Sequence, residues 1–350
     1  MSQRITRRAF GQAVLGSTAL AALGGTLAAP SIARGAAPLH LRCSLDTAPS
    51  HVRNVSVADF LKNVEAESKG AITTELFQSG QLFSDLHVSK ALLQGQVEMA
   101  VPGAWVLTGL VPDADMFQLP IFYGQDIELT HKVVDGKAGT KVADMIGQKL
   151  RSQVLGGWLD LGYQNWYFTT KDVKSVADLK GMKLRSPGGA GNSWRIRFLG
   201  GIPNTTAWPQ VPLALSQGNF DGLISTDMSV ETAKLWDAGV KHSLADHQFV
   251  GEYIPIISGT FWGKLSADQK KMMTGLWAAH IADYRKNMMA AQIAGRKTME
   301  QNGVAFADAT PEQRAATRQA MLKEQDAMAK EIKVSPEIVS LVMEEIGHAA

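Results

Sequence analysis

Leu39, Leu41, Cys43 and Leu45 alternate with His40, Arg42 and Ser44, the two-residue period of a strand with one buried face. Val57, Leu61 and Val64 then recur at helical spacing, and Lys69-Gly70 closes that helix. A second strand is predicted over Ile72–Phe77. Strands that alternate with helices predict parallel α/β layers. One stretch recurs: Leu92-Leu-Gln94-Gly95-Gln-Val97-Glu98 returns as Leu215-Ser-Gln217-Gly218-Asn-Phe220-Asp221, 123 positions later. In each copy a helix ends on a glycine suited to a left-handed C-cap, and a short apolar strand follows, Met99–Val101 or Leu223–Ile224. Two such units predict two similarly built α/β domains. Ser266-Ala-Asp-Gln269 is a capping box, and it opens a helical pattern that runs to Gln301 before Asn302-Gly303. A helix of that length would span about 54 Å, enough to bridge two domains or to need a kink. Thr310-Pro311 and Ser335-Pro336 start two more helices with proline at the first position.

Residues 1–37 carry Arg4, Arg7, Arg8 and Arg34, no acidic residue, and an Ala/Gly-rich apolar run from Ala13 to Ala29. This is the form of a signal peptide, and Arg7-Arg8 ahead of Phe10 favours the twin-arginine route. The expected location is therefore the periplasm. Subtracting those four arginines from the 35 basic residues leaves 31 against 33 acidic ones, a net of −2. A near-neutral chain without a Lys/Arg cluster has no electrostatic footprint for nucleic acid. No later segment approaches the ~18 apolar residues of a membrane span. The single Cys43 has no disulfide partner in the chain and reads as a buried, inert thiol. The roughly 313 residues beyond the leader exceed one core, which again predicts two domains.

Ligands of open α/β sheets sit beyond the carboxyl ends of the strands. The strand exits supply Asp46, Thr47 and His51; Gly103, Ala104 and Trp105; Arg185 and Ser186 with the glycines at 188, 189 and 191; and Ser225, Thr226 and Asp227. Arg185 is the natural anchor, because a guanidinium pairs two-pronged with a carboxylate and stays charged when desolvated. Trp105 and Trp208 lie in loop contexts and are the aromatic candidates for pocket walls; the other tryptophans read as core. Enzyme signatures are lacking. Gly188-Gly-Ala-Gly191 has no following Lys-Ser/Thr, and no Gly-x-Ser-x-Gly elbow occurs beyond the leader. His242, Asp246 and His247 are spaced wrongly for one helical face to hold a metal. Neither a metal nor a cofactor is expected.

Asp178-Leu-Lys-Gly-Met-Lys-Leu-Arg185-Ser-Pro, Phe77-Gln-Ser-Gly-Gln-Leu82, Leu119-Pro120-Ile-Phe, the Ala214–Gly222 unit and Ile257-Ser258 before Trp262 together resemble the solute-binding proteins of TRAP transporters, the DctP family. The resemblance runs over essentially the whole chain beyond the leader. It implies a two-domain periplasmic binding protein fold of class α/β, with an interdomain ligand cleft and a long helix bridging the domains. The expected division is 38–161 plus 251–290 for one domain and 162–250 plus 291–350 for the other. It also implies a non-enzymatic receptor that traps a small organic acid for ion-coupled uptake by membrane subunits, with Arg185 as the carboxylate-binding arginine. Some members carry a second arginine in a Gly-x-Arg turn; this chain reads Gly162-Tyr163-Gln164. Ser225 stands where many place asparagine, Asp46 where one begins its first cleft loop with asparagine, and Trp208 where sialic-acid binders have a ring-contacting Phe. These departures point to a monocarboxylate whose other end is uncharged, hydroxylated or aromatic, with Asp46, Ser225, Asp227 and Gln164 as polar contacts. The rivals from other classes are a periplasmic enzyme on the same fold and a ligand-sensing subunit of a signalling system.

Overall fold

A computed structural model describes residues 37–169 and 172–347. The leader predicted over 1–37 therefore lies, but for its last residue, outside the described residues. Thirteen strands are present among those described: β1 (Leu39–Ser44), β2 (Ile72–Phe77), β3 (Met99–Ala100), β4 (Ser152–Val154), β5 (Leu159–Tyr163), β6 (Asn165–Phe168), β7 (Lys183–Ser186), β8 (Ile202–Thr205), β9 (Gly222–Ser225), β10 (His242–Ala245), β11 (Val250–Tyr253), β12 (Ile256–Ser258) and β13 (Ala305–Asp308). They form a five-stranded sheet in the order β2-β1-β3-β12-β4 and a six-stranded sheet in the order β13-β10-β6-β9-β7-β8.

The two sheets share a plan. In the first, β1 is parallel to β2 and β3, and β12 joins β3 antiparallel. In the second, β7 is parallel to β8 and β9, and β6 joins β9 antiparallel. The repeated sequence unit falls at matching places. One copy is the helix Asp85–Leu93 with Gly95 at φ 66°, leading to β3; the other is the helix Val211–Ser216 with Gly218 at φ 70°, leading to β9. Each glycine takes the left-handed conformation that a side chain would resist, so the turn from helix to strand is fixed twice by the same chemistry.

The antiparallel member of each sheet comes from the other half of the chain, and this exchange creates the connection between them. The chain passes from β4 in the first sheet through β5 to β6 in the second, and returns from β10 through β11 to β12. The crossing strands β5 and β11 pair with each other antiparallel as a separate ribbon. A register shift between Gly251 and Glu252 leaves Leu161 as an extra residue, a β-bulge. The Leu161 carbonyl accepts from Gln292 Nε2 at 2.6 Å, and Gln292 Oε1 accepts from the Met228 N–H at 2.8 Å. One glutamine thereby satisfies the bulge and ties it to the helix Asp227–Thr232.

Gln292 belongs to the long helix, Ala267–Gln301, which is 35 residues and unbroken, with the predicted capping box at Ser266. Its buried positions, Met273, Trp277, Tyr284, Met288, Gln292, Gly295 and Met299, recur at three, four or seven residues and make one face. The first half of that face packs on the helix Val52–Glu67, where Trp277 meets Phe60 edge-on at 5.3 Å and the Tyr284 hydroxyl donates to Asp59. The second half meets Asp227–Thr232, close enough that a Cβ on Gly295 would sit 3.1 Å from the Asp227 carbonyl oxygen. The helix is thus the predicted bridge, without a kink. Cys43 is fully buried and free, and burial pushes its thiol well up.

Candidate ligand-binding cleft

Arg185 is the penultimate residue of β7, an interior strand of the six-stranded sheet, with Asn204 and Leu223 as its neighbours on either side. The strand ends there because Ser186-Pro187-Gly188-Gly189 turns away; Gly188 and Gly189 have φ of 114° and 81°. A Cβ on Gly189 would lie 3.1 Å from Trp105, so this loop rests on the tryptophan from the first sheet's own strand exit. Arg185 is 3% exposed. Its Nε donates to the Thr206 carbonyl at 3.0 Å and its Nη1 to the Ile224 carbonyl at 3.2 Å, while the Trp208 ring lies 5.4 Å from its centre. Two of the five N–H donors of an arginine are thereby used. Among the described residues no carboxylate lies within ion-pair distance of it. Burial pushes the group down to about 10, against the attraction of Asp46 and the Tyr253 hydroxyl.

The free edge of Arg185 borders a cavity of about 40 Å³ walled by Asp46, Thr47, Asp85, Leu86, Trp105, Leu161, Gln164, Pro187, Trp208, Ile224, Ser225, Ser229 and Tyr253. Strand exits of both sheets and both crossing strands meet there. At roughly 10–15 Å³ per water centre, the space holds a few waters.

Of the polar residues that the sequence predicts for the site, Arg185, Asp46, Ser225 and Gln164 reach this wall, as do both Trp105 and Trp208. Ser225 is buried and its hydroxyl has no partner among the described residues. Gln164 is buried with its Nε2 unpartnered. Asp46 differs from expectation: its Oδ1 accepts from Arg53 Nη2 at 2.7 Å and its Oδ2 from the Asp85 N–H at 2.9 Å, so both oxygens serve the fold. Asp227 lies outside the wall. As the first residue of its helix, it accepts from the Tyr167 hydroxyl at 2.6 Å, and burial pushes its carboxyl up to about 6. The histidines weighed as metal ligands are engaged elsewhere: His247 stacks on Tyr163 at 4.3 Å and His242 faces Asp172. No cluster of three His, Cys, Asp or Glu among the described residues is placed to hold a metal.

Sequence reasoning passed over Arg53, Asp85 and Tyr253. Arg53, fully buried behind the wall, uses every donor: Nε and Nη2 on Thr47 Oγ1, Nη2 also on Asp46, and Nη1 on Asp85 and the Val101 carbonyl. Tyr253 lies flat against it, 4.2 Å from the guanidinium to the ring centre. Burial alone would weaken this cation, but Asp85, Tyr253 and Asp46 hold its proton on far more tightly than usual. Two carboxylates share that one cation, and burial pushes the Asp85 carboxyl up. The only hint in the sequence is an arginine in the first turn of a helix, where a positive charge opposes the helix dipole and calls for acidic neighbours. His51, buried and held neutral by burial and by Arg53, contacts Ser229 Oγ at 3.1 Å and so joins the first strand exit to the helix Asp227–Thr232.

Known proteins resemble this chain in sequence and in fold. The model of bacterial extracellular solute-binding proteins, family 7 (DctP), matches residues 44–331. The C4-dicarboxylate-binding periplasmic protein DctP of Rhodobacter capsulatus is 29% identical over 94% of this chain and 96% of its own length. Among solved structures, the sugar acid binding protein DctPAm of Advenella mimigardefordensis in complex with galactonate aligns at a TM-score of 0.84 and 20% identity, over 89% of this chain and 99% of that one. A TRAP periplasmic solute binding protein of Sulfurospirillum deleyianum with bound succinate aligns at 0.79 and 24% identity, over 88% and 99%. The chain belongs to the DctP family of TRAP transporter solute-binding proteins, two-domain α/β receptors for small organic acids.

Proposed function

We propose that this chain is a periplasmic receptor that closes around a monocarboxylate and presents it to the membrane subunits of a TRAP transporter. Arg185 clamps the carboxylate, Trp105 and Trp208 wall the body of the ligand, and Ser225 and Gln164 hydrogen-bond its hydroxyl or ring substituents. Asp46 acts indirectly, by holding Arg53. The leader at 1–37 would direct export by the twin-arginine route.

The observation that carries this reading is the charge on the wall. Arg185 is the one cation among the described residues that line the cavity, and Asp46 and Asp85 line it too. A dicarboxylate would satisfy Arg185 with one end and leave the other without a cationic partner, near acidic side chains. The galactonate complex of the Advenella protein is a precedent for a hydroxylated acid with one carboxylate on this fold. The name of the Rhodobacter protein points to C4-dicarboxylates instead, and Gln164, standing where some members carry a second arginine, is the residue that separates the two readings.

The test is a thermal-shift and calorimetric panel of aldonic, hydroxy, keto and aromatic monocarboxylates against succinate and malate. A binder stabilises the protein by mass action and is recovered unchanged. The expected outcome is binding of one or more monocarboxylates and at least tenfold weaker binding of both dicarboxylates. A protein that bound C4-dicarboxylates alone would overturn the proposal.

A further inference from the structure

The back of the crossing ribbon carries two acidic side chains facing each other. Asp160 of β5 and Glu252 of β11 are direct cross-strand partners, immediately beside the bulge. They are 0% and 1% exposed. Their sequence neighbours Leu161 and Tyr253 line the ligand cavity, and alternation along a strand turns Asp160 and Glu252 to the opposite side. There the two carboxyls are served unequally. His131 Nε2, from the helix Ile127–Val134, sits 2.9 Å from both oxygens of Asp160. Arg285 of the long helix approaches Asp160 at 3.7 Å through Nε, which also donates to the Trp158 carbonyl. The Nη groups of Arg285 are taken by Asp135. Glu252 receives nothing: both its oxygens are buried without a donor.

A buried carboxylate with no donor, set beside a second carboxylate, is among the costliest arrangements a protein can hold. It is relieved if the pair carries one proton. We propose that Glu252 and Asp160 share a single proton, with Glu252 as a neutral acid donating to the Asp160 carboxylate, and that this bond holds the two crossing strands in the register that sets Leu161 and Tyr253 into the cavity wall. The proton stays within the pair; Asp160 is the member kept ionised, because His131 and Arg285 face it. The titratable and charged groups around the pair are His131, Arg285 and Asp135, and burial followed by the Asp160 charge holds the Glu252 carboxyl well above the ordinary carboxylate range, against the pull of Arg285. Glu252 is then a positioning residue, acting on the ligand through Tyr253 and the ribbon.

The sign follows from linkage. A glutamate with a raised value in the folded state keeps its proton where the unfolded chain, at about 4.3, has lost it. Folding then takes up one proton, and the stabilisation, complete below about pH 4, falls about tenfold in the folding equilibrium per pH unit above that. Other buried carboxyls, Asp85, Asp115 and Asp246 among them, are also shifted upward, so the measurement is a difference between variants.

The experiment is the pH dependence of denaturant unfolding between about pH 5 and 8 for the wild type, Glu252→Gln, Asp160→Asn and the double variant. Glutamine reproduces the neutral donor, and asparagine frees Glu252 to ionise toward His131 and Arg285. Each single variant is expected to take up one proton fewer than the wild type on folding, and the double variant the same one fewer. Two protons lost in the double variant, or none in either single, would overturn the proposal. Infrared spectra of the native proteins cover the case of a variant that folds poorly. At neutral pH the wild type should show a protonated-acid carbonyl stretch that responds to deuterium and is missing from Glu252→Gln; an identical spectrum in the two would equally refute it.

Discussion

Arg53 and Arg185 are both shut away from solvent around the same cavity, yet they are provided for in opposite ways. Arg53 has all five donors engaged and two carboxylates at 2.7 and 2.9 Å. Arg185 has two donors on carbonyls and no carboxylate in reach among the described residues. The first is a structural centre: it pins the loop after β1 to the start of the helix Asp85–Leu93 and presents Tyr253 to the cavity. The second is a buried charge without a carboxylate partner among the described residues, which the proposed ligand would neutralise. Burial in itself therefore separates neither role; the state of the hydrogen bonds does.

That contrast can be broken at either end. Arg53→Met should do the most damage to the fold, because it strands Asp46 and Asp85 as buried, mutually repelling carboxylates. A loss of about 3–5 kcal/mol in urea unfolding is expected at neutral pH, relieved in part as the pH is lowered and one carboxyl takes a proton. A loss below about 1 kcal/mol would mean that Arg53 is not a structural centre. Gln164→Arg sharpens the other side by giving the cavity wall a second cation. In competition titrations it should shift the preference toward succinate by about tenfold, or ~1.4 kcal/mol; no shift would show that the cation count on the wall does not select the ligand. Trp208→Leu keeps an apolar wall but removes the ring 5.4 Å from Arg185. Its expected effect is the smallest, about 0.5–1 kcal/mol in affinity with the midpoint of unfolding little changed.

Arg185 could be read from the sequence because its signal is local: a short apolar strand, an arginine at its exit, and glycines that turn the chain. The same rule brought Trp105, Ser225 and the loop after β1 to the cleft, and the repeated helix–Gly–strand units revealed the shared plan of the two sheets. Arg53 could not be read that way. Its partners lie seven, 32 and 200 residues distant at Asp46, Asp85 and Tyr253, and nothing in the spacing joins them. Asp46 was visible as a cleft residue for a sound reason, but the cation that occupies it was not. Asp227 sits at a strand exit like the others, yet Tyr167 draws it away from the cavity. The acid pair on the ribbon was hidden for a further reason: its two strands are 92 residues apart and pair only because the sheets exchange their antiparallel members.

The most direct test of the central claim is a titration of Arg185→Met against wild type, with the best-bound acid of the panel and with unfolding of the free protein measured alongside. Removing one partner of a buried ion pair should weaken binding by about 2–5 kcal/mol, about thirty- to four-thousand-fold in Kd. The free protein should be as stable as wild type or more so, because an unpaired buried charge has been replaced by an apolar chain. Affinity within a factor of about three of wild type, or a collapse of the free protein like that expected for Arg53→Met, would contradict the assignment of Arg185 as the ligand's anchor.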